Sequence, residues 1–263
     1  MTTEQTTGHR SRGEDRPLIL FDFGGTLNSN GDHWGALFRQ MLTRLFPDHA
    51  VEELEGAYIA SERRLSAEGL ELEGFDETLR RQIGYQFDSL GAEDRSEEME
   101  LEAARFYAEA CRRMEEVRQM LSGLSTDADL GIVSNFYGNI PAIVEEFRLG
   151  EFLRVVVDSA LAGLRKPDPA IWLHAIGLAG GSPGRTIVVG DSWKNDIAPA
   201  LAIGARAVWY RGLEWRPTNC VGEGVVQVRS IAELRRALES IVQDMGQGGT
   251  VPAQTIEEQS GEE

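Results

Sequence analysis

The chain has 263 residues, with 43 acidic against 26 basic side chains, a formal net charge of −17 and 41% hydrophobic residues. That length can bury one good core plus a smaller accessory unit. The acidic balance excludes a broad basic footprint for nucleic acid or an anionic membrane surface, and the isolated Cys111 and Cys220 argue against a disulfide framework.

Residues 1–16 are polar, without the apolar centre of a signal peptide, and are expected to be a disordered tail. With no transmembrane run elsewhere, the expected location is cytoplasmic. The segment LILFDFGGTL, residues 18 to 27, follows. Its apolar run predicts a buried parallel strand that ends in Asp22 and then meets a glycine turn holding Gly24, Gly25 and Thr26.

From residue 28 to about 116 the patterns are helical: HWGALFRQMLTRLF, VEELEGAYIASERRL, DETLRRQIGYQF and EEMELEAARFYAEACRRM. In SNGDHW, Asp32 reads as the cap of the first of these helices, with proton supply by Asp32 or His33 as the alternative. Much of the acidic excess lies here, since residues 51 to 120 hold 19 acids and nine arginines. The pairs Arg63 with Arg64, Arg80 with Arg81 and Arg112 with Arg113 read as solvated faces balancing glutamates, or else as contacts for a second anionic group.

Strands and helices alternate afterwards, which predicts a parallel sheet. LGIV ends at Ser134, followed by Asn135; NIPAIVEEF is a helix and LRVVVDS a strand. The loop GLRKPDP carries Lys166, PAIWLHAIGLA is a helix, and TIVVG runs into GDSWKND with Asp191 and Asp196. NDIAPALAIG, RAVWY and SIAELRRALESIV then read as helix, strand and helix, and residues 244–263 as a disordered acidic tail. Trp193, between the two acids, reads as packing.

Two strand ends thus bring three carboxylates to the carboxyl edge of an α/β sheet, where ligands bind. Their repulsion calls for a cation, and oxygen ligands favour Mg2+. Lysine usage points to the same loops: the 26 basic residues include only two lysines, Lys166 and Lys194. A compact ammonium suits a phosphate oxygen or a carboxylate better than a planar guanidinium does. The hydroxyl of Ser134 suits a phosphate oxygen as well.

Asp22 with Thr26, then Ser134, then Lys166, then Asp191 with Asp196 resemble the four ordered motifs of the haloacid dehalogenase superfamily, over residues 17 to about 240. The resemblance implies an α/β fold: a Rossmann-like parallel-sheet core from residues 17–27 and 117–243, with an inserted α-helical cap over 28–116. It implies that Asp22 is the nucleophile that forms an aspartyl-phosphate. Asp22, Asp191 and the Gly24 backbone carbonyl would hold Mg2+, and Asp196 would support the metal's water shell. Thr26, Ser134, Asn135 and Lys166 would bind the phosphoryl group. The expected function is Mg2+-dependent hydrolysis of a small phosphorylated metabolite by a monomer or homodimer, without nucleic acid or membrane as partner.

One position departs from the family pattern. The phosphatases carry a second Asp two residues after the nucleophile to protonate the leaving oxygen, and here that position is Gly24. The alternatives are therefore hydrolysis of a carbon–halogen or carbon–phosphorus bond, or a catalytically impaired binding or regulatory protein.

Overall fold

The computed structural model describes residues 16–216 and 224–246; most of the two expected tails, with His9 and Cys220, lies outside the described residues. Six strands form one sheet: β1 (Leu18–Phe21), β2 (Asp129–Ser134), β3 (Leu153–Asp158), β4 (Thr186–Gly190), β5 (Arg206–Tyr210) and β6 (Val226–Val228). Their order is β3-β2-β1-β4-β5-β6, and every pairing is parallel.

β1 lies at the centre of this sheet, which is why its sequence is apolar without interruption. Ile19 and Phe21 enter one hydrophobic cluster, Leu18 and Leu20 the other, as the two-residue period of a strand dictates. Phe21 is in register with Ile132 on one side and Val189 on the other, so β2 runs two residues and β4 one residue past the end of β1. The Asp22 amide continues the ladder to the Val189 carbonyl at 2.8 Å. The strand order reverses at β1, and the crevice this creates opens beyond the carboxyl ends of β1 and β4.

Four helices lie between β1 and β2: α1 (Trp34–Leu45), α2 (Val51–Glu68), α3 (Phe75–Ser89) and α4 (Ser96–Leu124). They match the expected patterns, with two corrections. Asp32 does not cap α1. The cap is His33, whose Nδ1 accepts from the Gly35 amide at 3.0 Å, while Asp32 accepts from the Leu213 amide at 2.7 Å. The fourth pattern also does not end near residue 116, because α4 continues unbroken to Leu124.

The other helices are α5 (Ile140–Glu146), α6 (Ser159–Ala162), α7 (Ala170–Ala179), α8 (Ala198–Ala202) and α9 (Ile231–Gly246). NDIAPALAIG was expected as one helix, but a wide turn over Trp193–Ile197 precedes α8. The strand β6 was not expected, since three residues at a sheet edge give no readable alternation. The last helix runs three residues into the expected tail, and buried Met245 anchors it. Among the described residues no helix is long and apolar enough to cross a membrane.

Docking of α4 and the other inserted helices makes their core continuous with one face of the sheet: Phe38, Leu42, Leu54, Phe75 and Val117 share a cluster with Ile19, Phe21 and Ile132. On the opposite face, Trp172 and Trp209 are fully buried against Leu18, Leu20 and Val188.

Gly131 in β2 shows how tightly the sheet is filled below the site. A Cβ there would lie 2.4 Å from Val155 Cγ1 and 2.9 Å from Leu20 Cδ2. Gly131→Ala is expected to cost about 1–3 kcal/mol through overpacking, read as a lower urea midpoint at unchanged m-value.

Candidate active site

Asp22 leaves β1 in extended conformation, and the chain then turns through Phe23–Leu27, with Gly24 at φ −78°, ψ 116° and Gly25 at φ 94°, ψ −29°. The turn is braced by Asn28, whose side-chain oxygen accepts from the Gly25 amide and from Trp34 Nε1, both at 3.0 Å. The turn brings the Thr26 hydroxyl back to Asp22 Oδ2 at 3.0 Å, with a second contact to Asp191 Oδ1 at 3.3 Å. Ser134, at the end of β2, donates to Asp22 Oδ1 at 3.3 Å.

Lys166 completes the cluster. Its Nζ lies 2.5 Å from Asp22 Oδ1 and 2.7 Å from Asp196 Oδ1, almost entirely shielded from solvent. Burial alone would lower the pKa of this ammonium, but the Asp196 and Asp22 carboxylates overcome that and raise it above the usual lysine range. The Trp172 ring lies 5.1 Å from Nζ and supplies the apolar floor. Asn135 holds the Lys166 backbone at both ends: its Oδ1 accepts from Lys166 N at 2.9 Å and its Nδ2 donates to Lys166 O at 3.0 Å. These side-chain bonds fix the lysine loop.

Asp22, Asp191 and Asp196 each offer an oxygen, and these oxygens all lie within 4.8 Å of one another. Burial, then repulsion from Asp22 and Asp196, pushes the Asp191 carboxyl well above the ordinary range. Burial likewise pushes Asp196 up to about 6, although Lys166 opposes the shift. Among the described residues only Lys166 forms an ion pair with these acids. Three hard carboxylates facing one ammonium fit a divalent cation of the Mg2+ type. Asp196 already has a partner on each oxygen, Lys166 on Oδ1 and the Ser192 amide on Oδ2 at 3.0 Å. Asp22 is likewise met on both oxygens, by Lys166, Ser134 and Thr26, whereas Asp191 has only the 3.3 Å contact from Thr26 on Oδ1 and is the acid best placed to hold an ion directly.

Other candidates resolve into supporting roles. Trp193 packs against Trp209 at 5.1 Å between centroids, and Trp209 Nε1 bonds the Asp191 carbonyl at 2.9 Å. Lys194 is exposed. Arg64, Arg80, Arg81, Arg112 and Arg113 pair with neighbouring acids such as Glu68, Glu100, Glu77 and Glu109. His33 lines the pocket, but burial lowers its pKa and its Nδ1 is committed to Gly35, which favours the neutral ring over an imidazolium acid.

The carboxylates open into a pocket of about 170 Å³ whose walls include Gly24, Trp34, Tyr58, Glu62, Tyr137 and Arg165. The last four were missed in the sequence, where nothing separates them from surface or core residues of the same type. Asp158 was missed despite a signal: LRVVVD also ends an apolar strand in a carboxylate. It accepts from the amides of Gly138, Ile140 and Ala160 at 2.9 to 3.1 Å, which fixes the loop after β2.

The family model for haloacid dehalogenase-like hydrolases matches residues 17–204. The chain belongs to this family. It is 27% identical over 197 residues to a phosphoglycolate phosphatase of Pseudomonas syringae, covering 73% of this chain and 68% of that protein. It is 36% identical over 85 residues to haloacid dehalogenase-like hydrolase domain-containing protein 3 of Bos taurus, covering 32% of this chain and 34% of that protein. Solved structures share the fold. A dehalogenase with an intermediate complex matches at 16% identity and TM-score 0.55, over 86% of this chain and 98% of that one. A haloacid dehalogenase-like hydrolase of Xanthomonas campestris matches at 15% identity and TM-score 0.52, over 93% and 99%.

Within this hydrolase fold the two glycines of the first motif differ in kind. A Cβ on Gly25 would lie 2.6 Å from the Asp191 carboxylate at a positive φ, whereas one on Gly24 would meet only Trp34 and Phe136 at 3.7 and 3.9 Å. Gly24→Ala should therefore stabilise by about 0.4–1 kcal/mol through a stiffer unfolded chain, and Gly25→Ala should destabilise by about 1–3 kcal/mol. Paired denaturant titrations check the opposite signs.

A carboxyl whose pKa is higher folded than unfolded weakens the fold as pH rises above the unfolded value, about 4 for Asp. In chelator, Asp191→Asn should raise the melting temperature most at pH 7 to 8, and the gain should shrink toward pH 5. In millimolar Mg2+ the wild type should instead be the more stable of the two.

Proposed function

We propose that this hydrolase cleaves a small phosphate monoester with Mg2+, through a phosphoryl group carried on Asp22. The observation that supports this most directly is the environment of Asp22. Its two carboxylate oxygens are met by Lys166, Ser134 and Thr26, so a nucleophile and three phosphate-binding donors converge at one point.

Two negative groups must meet for reaction, and the chain supplies what lowers that barrier. Lys166 spreads its charge over Asp22 and the incoming phosphoryl oxygens. The Thr26 and Ser134 hydroxyls orient the Asp22 carboxylate toward phosphorus. One Asp22 oxygen forms the new bond to phosphorus as the bond to the ester oxygen breaks, and water then attacks the acyl phosphate, returning free phosphate and the Asp22 carboxylate. Mg2+, held by Asp22, Asp191 and the Gly24 carbonyl, would add electrostatic clamping of the phosphoryl oxygens.

The leaving oxygen needs a proton, and Gly24 supplies none. The space beside Gly24 is open, so the backbone does not demand glycine here. Substrates whose leaving groups are stable as anions are the ones this site handles without an acid.

Phosphate release from an aryl phosphate, an acyl phosphate and alkyl phosphates, measured with Mg2+ and with chelator, tests this reading. Aryl and acyl esters should turn over faster than alkyl esters, since loss of a general acid costs about 10^2 to 10^4. Gly24→Asp should narrow the gap, and Asp22→Asn should abolish turnover while keeping the fold. Phosphate release that survives in Asp22→Asn, or in chelator, would overturn the mechanism.

A further inference from the structure

Beyond the acids, the pocket contains a second polar group that phosphoryl transfer does not use. Glu62, on α2, projects into the pocket beside Tyr58. Its Oε1 accepts from the Tyr137 hydroxyl at 2.5 Å and from Gln82 Nε2 on α3. Among the described residues none donates to Oε2. Arg165, on the lysine loop, also lines the pocket but makes no ion pair with Glu62 within 4 Å. Burial raises the Glu62 carboxyl even against donation from Tyr137 and Gln82 and the field of Arg165. Tyr58, Glu62 and the acids Asp22, Asp191 and Asp196 line the same pocket, so this carboxylate and the acidic cluster face one cavity.

We infer that Glu62 is a specificity residue: its free oxygen accepts a hydrogen bond from the leaving group, and selects phosphate monoesters that carry an ammonium or hydroxyl over those that carry a carboxylate. The inference rests on the phosphatase reading and sharpens it. A phosphorylated carboxylic acid would bring a second anion against Glu62, inside a strongly acidic protein. An amine or hydroxyl would instead give Oε2 a donor that no described residue provides. The pocket has room for a small ester of this kind.

The test uses O-phosphoethanolamine, glycerol 3-phosphate, ethyl phosphate and 2-phosphoglycolate with the full chain and Mg2+. In wild type, kcat/KM should be highest for the amine or hydroxyl ester and lowest for the carboxylate. Glu62→Gln keeps an acceptor for Tyr137 and Gln82 and removes the charge. It should lower the ratio of the preferred ester to ethyl phosphate by about tenfold to a hundredfold, the range of a hydrogen bond to a charged group. A drop confined to phosphoethanolamine identifies the ammonium as the recognised group; a drop confined to glycerol phosphate identifies the hydroxyl. Fastest turnover of 2-phosphoglycolate, or an unchanged ratio in Glu62→Gln, would overturn the inference and leave the phosphatase reading standing.

Binding of the same four esters to Asp22→Asn, followed by calorimetry, separates the two claims. If the wild type hydrolyses none of the four, yet in Asp22→Asn the amine or hydroxyl ester binds more tightly and adding Glu62→Gln erases the preference, the subsite holds and the phosphatase reading fails. Equal binding of all four esters sinks the subsite on its own.

Discussion

Three carboxylates at the ends of two adjacent parallel strands would push those strand ends apart, and the Lys166 ammonium is what lets them stay together. It touches Asp22 and Asp196 at once, from a loop that neither acid belongs to. Placing a flexible four-carbon stem with this accuracy takes effort elsewhere. Asn135 clamps the lysine backbone, Trp172 underlies the ammonium, and Asp158 fixes the loop from which Asn135 springs. The distal elements of the sheet thus serve one ion pair network, which is satisfied on the lysine side and left electron-rich on the side of Asp191.

That imbalance explains the glycines. Gly25 must be glycine because its backbone lies against the Asp191 carboxylate, and Gly190 because Asp196 occupies the position a Cβ would take, only 2.3 Å away. Gly24 has no such neighbour. Packing therefore does not dictate its identity, whereas its two counterparts reflect how closely acids and backbone are packed.

What the sequence made legible follows from where information is concentrated. Asp22, Ser134, Lys166, Asp191 and Asp196 were readable because each ends an apolar run or occupies a loop of unusual composition, and a parallel sheet converts such positions into neighbours. Asp158 obeyed the same rule and was passed over. Glu62, Tyr137 and Arg165 were not readable, because their meeting depends on how α2 and α3 dock over the loop after β2. On α2, Glu62 differs from solvent-facing glutamates such as Glu52 only in what packs against it. The hold that Asn135 takes on the Lys166 backbone was not readable for a similar reason: side-chain direction after a strand end is set by the facing loop, which the local sequence does not contain.

The unbroken helix α4 bears on how such proteins can be recombined. At 1.5 Å per residue its 29 residues extend about 44 Å, from contacts with α3 to the turn that enters β2. A chimera joined at residue 116 would sever this rod in mid-span and force two unrelated helical halves into one register. Val117, Met120 and Leu121, which lie beyond that point, belong to the same buried cluster as Phe38 and Phe75. A seam that keeps the rod whole is the turn after Leu124.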